Sequence, residues 1–170
     1  MITLHGMSGS GNCYKLQLLC AQLQIAHEWE EIDITRGENL SPEFLAMNDR
    51  GKVPVLKRAD GSTLSESNAI LHYLAEGSSL LPAEPWDRAK TLQWLFFEQY
   101  SHEPYIAVSR FIHTFLPVEH PRRAQLPVLH ASGNEALAAM ERHLRRLPWF
   151  GGVQYSIADI ALFAYTHVAD

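Results

Sequence analysis

The chain has 170 residues, 46% of them apolar, and its 14 Lys and Arg against 19 Asp and Glu leave a formal net charge of −5. That length suits one large domain or two small ones, and the apolar content an ordinary soluble core. The acidic balance, basic residues clustered no further than pairs such as Arg122-Arg123 and Arg145-Arg146, and no apolar run of membrane-spanning length argue against nucleic-acid and membrane partners.

Met1, Ile2, Thr3, Leu4 and His5 alternate as a short strand should, and Gly6 ends it. No basic segment followed by an apolar one marks a secretory signal there. A small Ser/Gly loop follows, then a helix over 12–23 whose apolar face is Tyr14, Leu16, Leu18, Leu19 and Leu23. Cys13 and Cys20 fall on one face of that helix, which fits neither a CxxC pair nor a local disulfide, so a reduced, cytoplasmic protein is expected. Trp29, Ile32 and Ile34 mark a second strand over 28–33, and Thr35-Arg36-Gly37 a turn. Ser41-Pro42 opens a short helix, with Ser as N-cap and Pro at its first position, that stops by Asn48-Asp49. Val53, Pro54, Val55 and Leu56 form a strand, Asp60-Gly61 a hairpin, and 62–65 the returning strand. Glu66-Ser67 opens a helix carrying Ala69, Ile70, Tyr73 and Leu74. The order β-α-β-α-β-β-α predicts a thioredoxin-like domain over 1–76, a mixed sheet between helices.

Residues 77–85, with a Gly/Ser cluster and two prolines, predict a linker, and an all-α domain over 86–170 follows. Residues 87–115 form a long helix rich in aromatics that Pro104 must kink or split. A proline-rich loop over 116–127 leads to a helix over 128–147 with Leu129, Ala136, Leu137, Met140, Leu144 and Leu147 as its stripe, closed by Pro148. After a turn at 149–152, Ser156-Ile157-Ala158-Asp159 is a capping box ahead of an apolar helix over 160–168. His102, His113, His120, His130 and His143 show no metal-ligand spacing, and no metal is expected.

The chemistry concentrates at 52–67. A proline between strand residues is explained by a cis Val53–Pro54 peptide, which leaves the Val53 backbone free to pair with an extended peptide ligand. The first N–H groups of the helix after Glu66, with the Ser67 hydroxyl, suit a carboxylate. Glu66 suits an ammonium, so the ligand is amino-acid-like.

Val-Pro, hairpin, Glu-Ser and helix in this order resemble the glutathione-binding half of the glutathione transferase family, and Ser156 to Ala161 resembles that family's helix-capping signature in its helical domain. The resemblance covers the whole chain. It implies that Val53 lines the cysteinyl backbone with Pro54 beside it in the glutathione site, that Glu66 and Ser67 hold the γ-glutamyl end, and that Lys52 touches the glycine carboxylate or nearby backbone. In the serine-dependent branches the catalytic Ser stands three residues before a Cys that opens the first helix, which selects Ser10; Ser8 and Cys13 remain alternatives. Tyr14 lies inside the helix and reads as packing. By resemblance to bacterial members, Glu103 reaches a partner subunit's glutathione and Tyr105 the electrophile. Glutathione is then the co-substrate, a homodimer the assembly, and conjugation to an apolar electrophile the reaction. A non-catalytic interaction module and a glutathione-dependent redox or isomerase enzyme on the same fold are the other readings. The family usually continues past the capped helix, so an apolar face without its usual cover, and a chain cut short, are expected at the end.

Overall fold

Alternation at the N-terminus becomes strand β1 (Ile2–Gly6) in the computed structural model, which describes residues 1–169. Two units divide the chain, Met1–Ser78 and the stretch from Ser79 onward. The first runs β1, α1 (Gly11–Leu23), β2 (His27–Glu31), α2 (Pro42–Met47), β3 (Val55–Lys57), β4 (Thr63–Ser65) and α3 (Ser67–Leu74). β1 pairs parallel with β2 and antiparallel with β3, and β3 antiparallel with β4, in the order β2-β1-β3-β4. This is the thioredoxin-like arrangement, a parallel pair joined by a helix and extended by a hairpin. Leu4, Leu16, Leu19, Val55, Leu56, Ile70 and Leu71 are fully buried in it.

Register decides what meets at the site. His5 lies opposite Val55, and Val55 opposite Ser65. The residues that leave β1, enter β3 and leave β4 therefore share one end of the sheet. The turn out of β1 requires glycine: a Cβ on Gly6 would stand 2.6 Å from the Trp29 ring and 2.9 Å from the Cys13 sulfur.

Several boundaries differ from expectation, each for a local reason. Val53 and Pro54 precede β3 rather than forming it, because proline has no N–H for the ladder; the Val53–Pro54 peptide is cis. β2 ends at Glu31, although Ile32 N–H still donates to Gly6 O at 2.8 Å. Asp33 then caps a 3₁₀ turn at Ile34–Arg36 by accepting from Thr35 N. In α1 the buried stripe is Cys13, Leu16 and Cys20 flanked by Lys15 and Leu19, whereas Tyr14 and Leu18 are only half-buried. That stripe follows the helical repeat of three and four residues more closely than the expected one.

The second unit holds α4 (Pro85–Phe97), a π-helical turn (Glu98–His102), α5 (Glu103–Phe115), α6 (Leu126–Leu144) and α7 (Ile157–Thr166). α4 starts at Pro85 because the Glu84 carboxylate accepts from Asp87 N at 3.0 Å, with proline in the N–H-free first turn. Pro104 splits the long helix: it cannot donate to the carbonyl four residues earlier, and the wider π turn takes up the mismatch. α6 starts at Leu126 with Pro127 in its first turn and ends at Leu144, so the expected stripe fails at its end, where Leu144 and Leu147 are 40% and 37% exposed. Of the bare face expected on the last helix, one large apolar side chain is exposed among the described residues. α4, α5 and the π turn pack around α7, and only Phe163 stands out, at 47% exposure. No helix among the described residues is long and apolar enough to cross a membrane.

The capping box at α7 is complete. Asp159 Oδ1 accepts from Phe150 N at 2.9 Å, and Oδ2 from Ser156 N at 2.9 Å and Ser156 Oγ at 3.1 Å. Asp159→Ala orphans two buried N–H groups at about 1–3 kcal/mol each, so urea denaturation is expected to show a loss of about 3 kcal/mol at unchanged slope. A loss below about 1 kcal/mol would mean that water takes over the carboxylate's role.

Candidate functional site

Ser10 is the N-cap of α1, with the extended geometry of a cap (φ −90°, ψ 127°), yet its side chain makes no capping bond. It hydrogen-bonds the Cys13 sulfur instead, which also accepts from Met7 N at 3.4 Å. Burial pushes the Cys13 thiol up to about 11, and the bonds from Ser10 and Met7 offset only part of that rise. Cys20, buried on the same helix, is likewise pushed up to about 11 by burial. Both thiols are therefore protonated at neutral pH, and neither has thiolate character for nucleophilic attack.

Ser8 has a different partner. Its N–H donates to Glu31 Oε1 at 2.8 Å and its hydroxyl to Glu31 Oε2 at 2.7 Å, while Trp29 Nε1 donates to the same oxygen at 2.8 Å. Desolvation pushes the Glu31 carboxyl up, but these donors together hold it below its ordinary range. Ser8 is thus committed to an anion, and Ser10 alone of the two serines faces a sulfur.

The start of α3 is built on a buried cluster. Lys15 Nζ donates to Asn12 Oδ1 at 2.8 Å, Ser67 Oγ at 3.2 Å and Asn68 Oδ1 at 3.3 Å, and Ser67 Oγ donates to Asn12 Oδ1 at 3.1 Å. These bonds tie the first turn of α1, next to Ser10, to the first turn of α3. Glu66, just before α3, has φ 69° and is exposed; Arg50 donates to its Oε1 at 2.6 Å. With side chains 67% and 55% exposed, that pair is worth at most about 1 kcal/mol.

Two asparagines hold the chain ahead of β3. Asn48 Nδ2 donates to Lys52 O at 2.8 Å, and Asn39 Nδ2 to Gly51 O at 2.8 Å. Gly51 has φ 59°, which a side chain at that position would strain. Lys52 is exposed, and among the described residues the Val53 backbone makes no hydrogen bond. Ser10, Val53, Pro54, Glu66 and Ser67 thus belong to the three segments that meet at one sheet end. Glu103 and Tyr105 belong to the second unit: Glu103 is the first residue of α5, and Tyr105 lines a cavity of about 630 Å³ between α5 and α6. Among the described residues, no three His, Cys, Asp or Glu side chains stand close enough to hold a metal ion.

Lys15, Asn68, Arg50 and Glu31 were not singled out from the sequence. The signal for Lys15 was there, a lone lysine at helical spacing within an apolar stripe; the others are polar residues with nothing local to distinguish them.

Two family profiles match the chain, "Glutathione S-transferase, N-terminal domain" over residues 9–76 and "Glutathione S-transferase, C-terminal domain" over residues 123–170. The crystal structure of a glutathione S-transferase from Pseudomonas fluorescens Pf-5 is 53% identical, with TM-score 0.95, covering 99% of this chain and 84% of that one. A glutathione transferase from Pseudomonas putida, solved with one glutathione disulfide bound per subunit, is 30% identical with TM-score 0.85, covering 98% of this chain and 74% of that one. The disulfide-bond oxidoreductase YfcG of Escherichia coli K12 is 31% identical over 163 residues, 92% of this chain and 75% of its own length.

A thiol with its pKa near 11 is about one part in a thousand thiolate at pH 8. Native protein treated with iodoacetamide at pH 8 is expected to leave Cys13 and Cys20 unmodified by mass spectrometry, and both should react in denaturant. Rapid native labelling of Cys13 would restore it as a nucleophile.

Proposed function

Because the chain belongs to the glutathione S-transferase family, we propose that it binds glutathione at the sheet end where the Ser10 loop, Val53 and the start of α3 meet, and transfers its thiolate to a small apolar electrophile. The observation that carries this reading is Ser10, the N-cap of α1 in the loop after β1, whose hydroxyl makes no capping bond to its helix. A free thiol has a pKa of about 8.5, so a catalyst working near neutral pH must stabilise the thiolate. A charge-assisted bond to a bound thiolate is stronger than one to the neutral Cys13 thiol, so the Ser10 hydroxyl turns to the ligand when glutathione is present. The α1 N-terminus adds a favourable dipole.

The remaining roles follow from the same placement. The unbonded Val53 backbone pairs with the cysteinyl residue as a strand would. Pro54 shapes that edge, and Lys52 lies beside it for the glycine carboxylate. Ser67 and the first N–H groups of α3 take the γ-glutamyl carboxylate, and Glu66 takes the ammonium, its weak surface pair with Arg50 yielding easily. We assign the thioredoxin-like domain to 1–76, the linker to 77–84, one residue shorter than expected because α4 begins at Pro85, and the helical domain to 85 onward, with Tyr105 toward the electrophile and Glu103 toward a second subunit. Phe96 and Tyr100, 72% and 84% exposed on successive turns, fit a surface covered in a homodimer.

The name of the Escherichia coli relative favours a second reading, disulfide exchange. With Cys13 and Cys20 protonated, the attacking sulfur in that reaction would be glutathione's own. It would displace one thiolate of a substrate disulfide and form a mixed disulfide with the other half. Turnover of 1-chloro-2,4-dinitrobenzene against that of bis(2-hydroxyethyl) disulfide separates the two.

Ser10→Ala is expected to raise the pKa of bound glutathione and to lower turnover near neutral pH by about ten- to a hundredfold. Part of the loss should return at alkaline pH, where the thiol ionises unaided. Ser8→Ala and Cys13→Ala should keep most activity. Thiolate ultraviolet absorbance against pH in the parent and the three variants decides, and a pKa that ignores Ser10 would overturn its role. Glu66→Ala should raise KM for glutathione by more than it lowers kcat, because it grips a non-reacting end. An unchanged KM would displace the γ-glutamyl end from α3.

A further inference from the structure

A lysine with 0% of its surface exposed stands on α1 in a stripe otherwise made of Cys13, Leu16, Leu19 and Cys20. Withdrawing an ammonium from water is costly unless its N–H groups all find oxygen. A methionine would fill similar volume without that cost, so core stability alone does not call for the charge. Three oxygens that accept from its ammonium do not belong to the apolar core. They are the side chains of Asn12, Ser67 and Asn68, at the starts of α1 and α3.

We propose that Lys15 is a positioning residue of the glutathione site, acting through Ser67 and Asn68 on the carboxylate of the γ-glutamyl end; this rests on the reading given above. The Ser67 oxygen accepts from the Lys15 ammonium, so its own proton must point elsewhere, and it goes to Asn12 Oδ1 at 3.1 Å. A hydroxyl that accepts from a cation is a stronger donor. A ligand carboxylate is a better acceptor than an amide oxygen, so the proton swings to the ligand while Lys15 keeps the oxygen in place. The buried charge also adds to the positive end of the α3 dipole, in a setting where solvent screens it little. Lys15 itself touches no ligand in this scheme. It sets the direction and donor strength of groups that do.

The test is calorimetric titration of the parent and of Lys15→Met with two probes, glutathione and its analogue lacking the α-carboxylate of the γ-glutamyl residue. The parent should bind the analogue about tenfold or more weakly than glutathione. Lys15→Met should weaken glutathione by about tenfold and the analogue by less than about twofold, with kcat at saturating glutathione within about twofold of the parent. A merely structural lysine would weaken both probes equally and overturn the proposal while leaving the function intact. If Lys15→Met does not fold, the parent and Ser67→Ala decide. Equal affinity of the parent for the two probes overturns the proposal, and discrimination that Ser67→Ala abolishes supports it. A parent that binds neither probe overturns the glutathione reading, and this proposal with it.

Discussion

Polar groups taken out of water at one end of the sheet are costly to leave without partners, and the side chains that bond them shape the region around the site. The segments meeting there are loops and helix starts, so no sheet ladder or helix interior satisfies them. Side-chain amides and one ammonium do so instead. Asn39 and Asn48 hold the chain through Gly51 and Lys52, and Lys15 holds the starts of α1 and α3 against each other. The result is an irregular segment held by two side-chain bonds, with no hydrogen bond on the Val53 backbone among the described residues.

The two serines of the first loop show how a partner, rather than a residue type, decides chemistry. Ser8 is only two residues from Ser10, but it donates to the Glu31 carboxylate from both backbone and side chain. A hydroxyl already bonded to an anion is a poor donor to a thiolate, and the nearby negative charge would oppose one. Ser10 sits beside a neutral, buried sulfur instead, and a hydroxyl leaves such a partner readily for a charged one. Burial keeps the Cys13 thiol protonated, with its pKa pushed up to about 11.

The second unit solves the same problem of buried polar groups with helix ends. Asp159 closes the start of α7 and reaches back to Phe150, fixing the turn before the helix as well as the helix itself. Pro104 breaks a helix that would otherwise run straight, and the π turn before it holds Glu98 and His102, both fully buried. His102 Nε2 lies 2.9 Å from Thr166 Oγ1, and that hydroxyl donates to Leu162 O at 2.7 Å. The imidazole N–H is therefore the donor, and the π turn is pinned to the end of α7.

Local order was readable from the sequence because periodicity, turn residues and caps act within a few positions. Alternation marked β1, Ser41-Pro42 marked α2, Asp60-Gly61 the hairpin, and Ser156 with Asp159 the start of α7, and the element order implied the fold. The cis Val53–Pro54 peptide and the helix start at Ser67 were legible for the same reason, since each is marked by neighbouring residues. What tertiary structure alone decided were partners distant in sequence. Ser8 meets Glu31 across 23 residues and Lys15 meets Ser67 across 52, separations at which no local pattern specifies a bond. The role of a polar side chain depends on which group the fold places opposite it, and register, set by the burial of whole strand faces, is what brings those groups together.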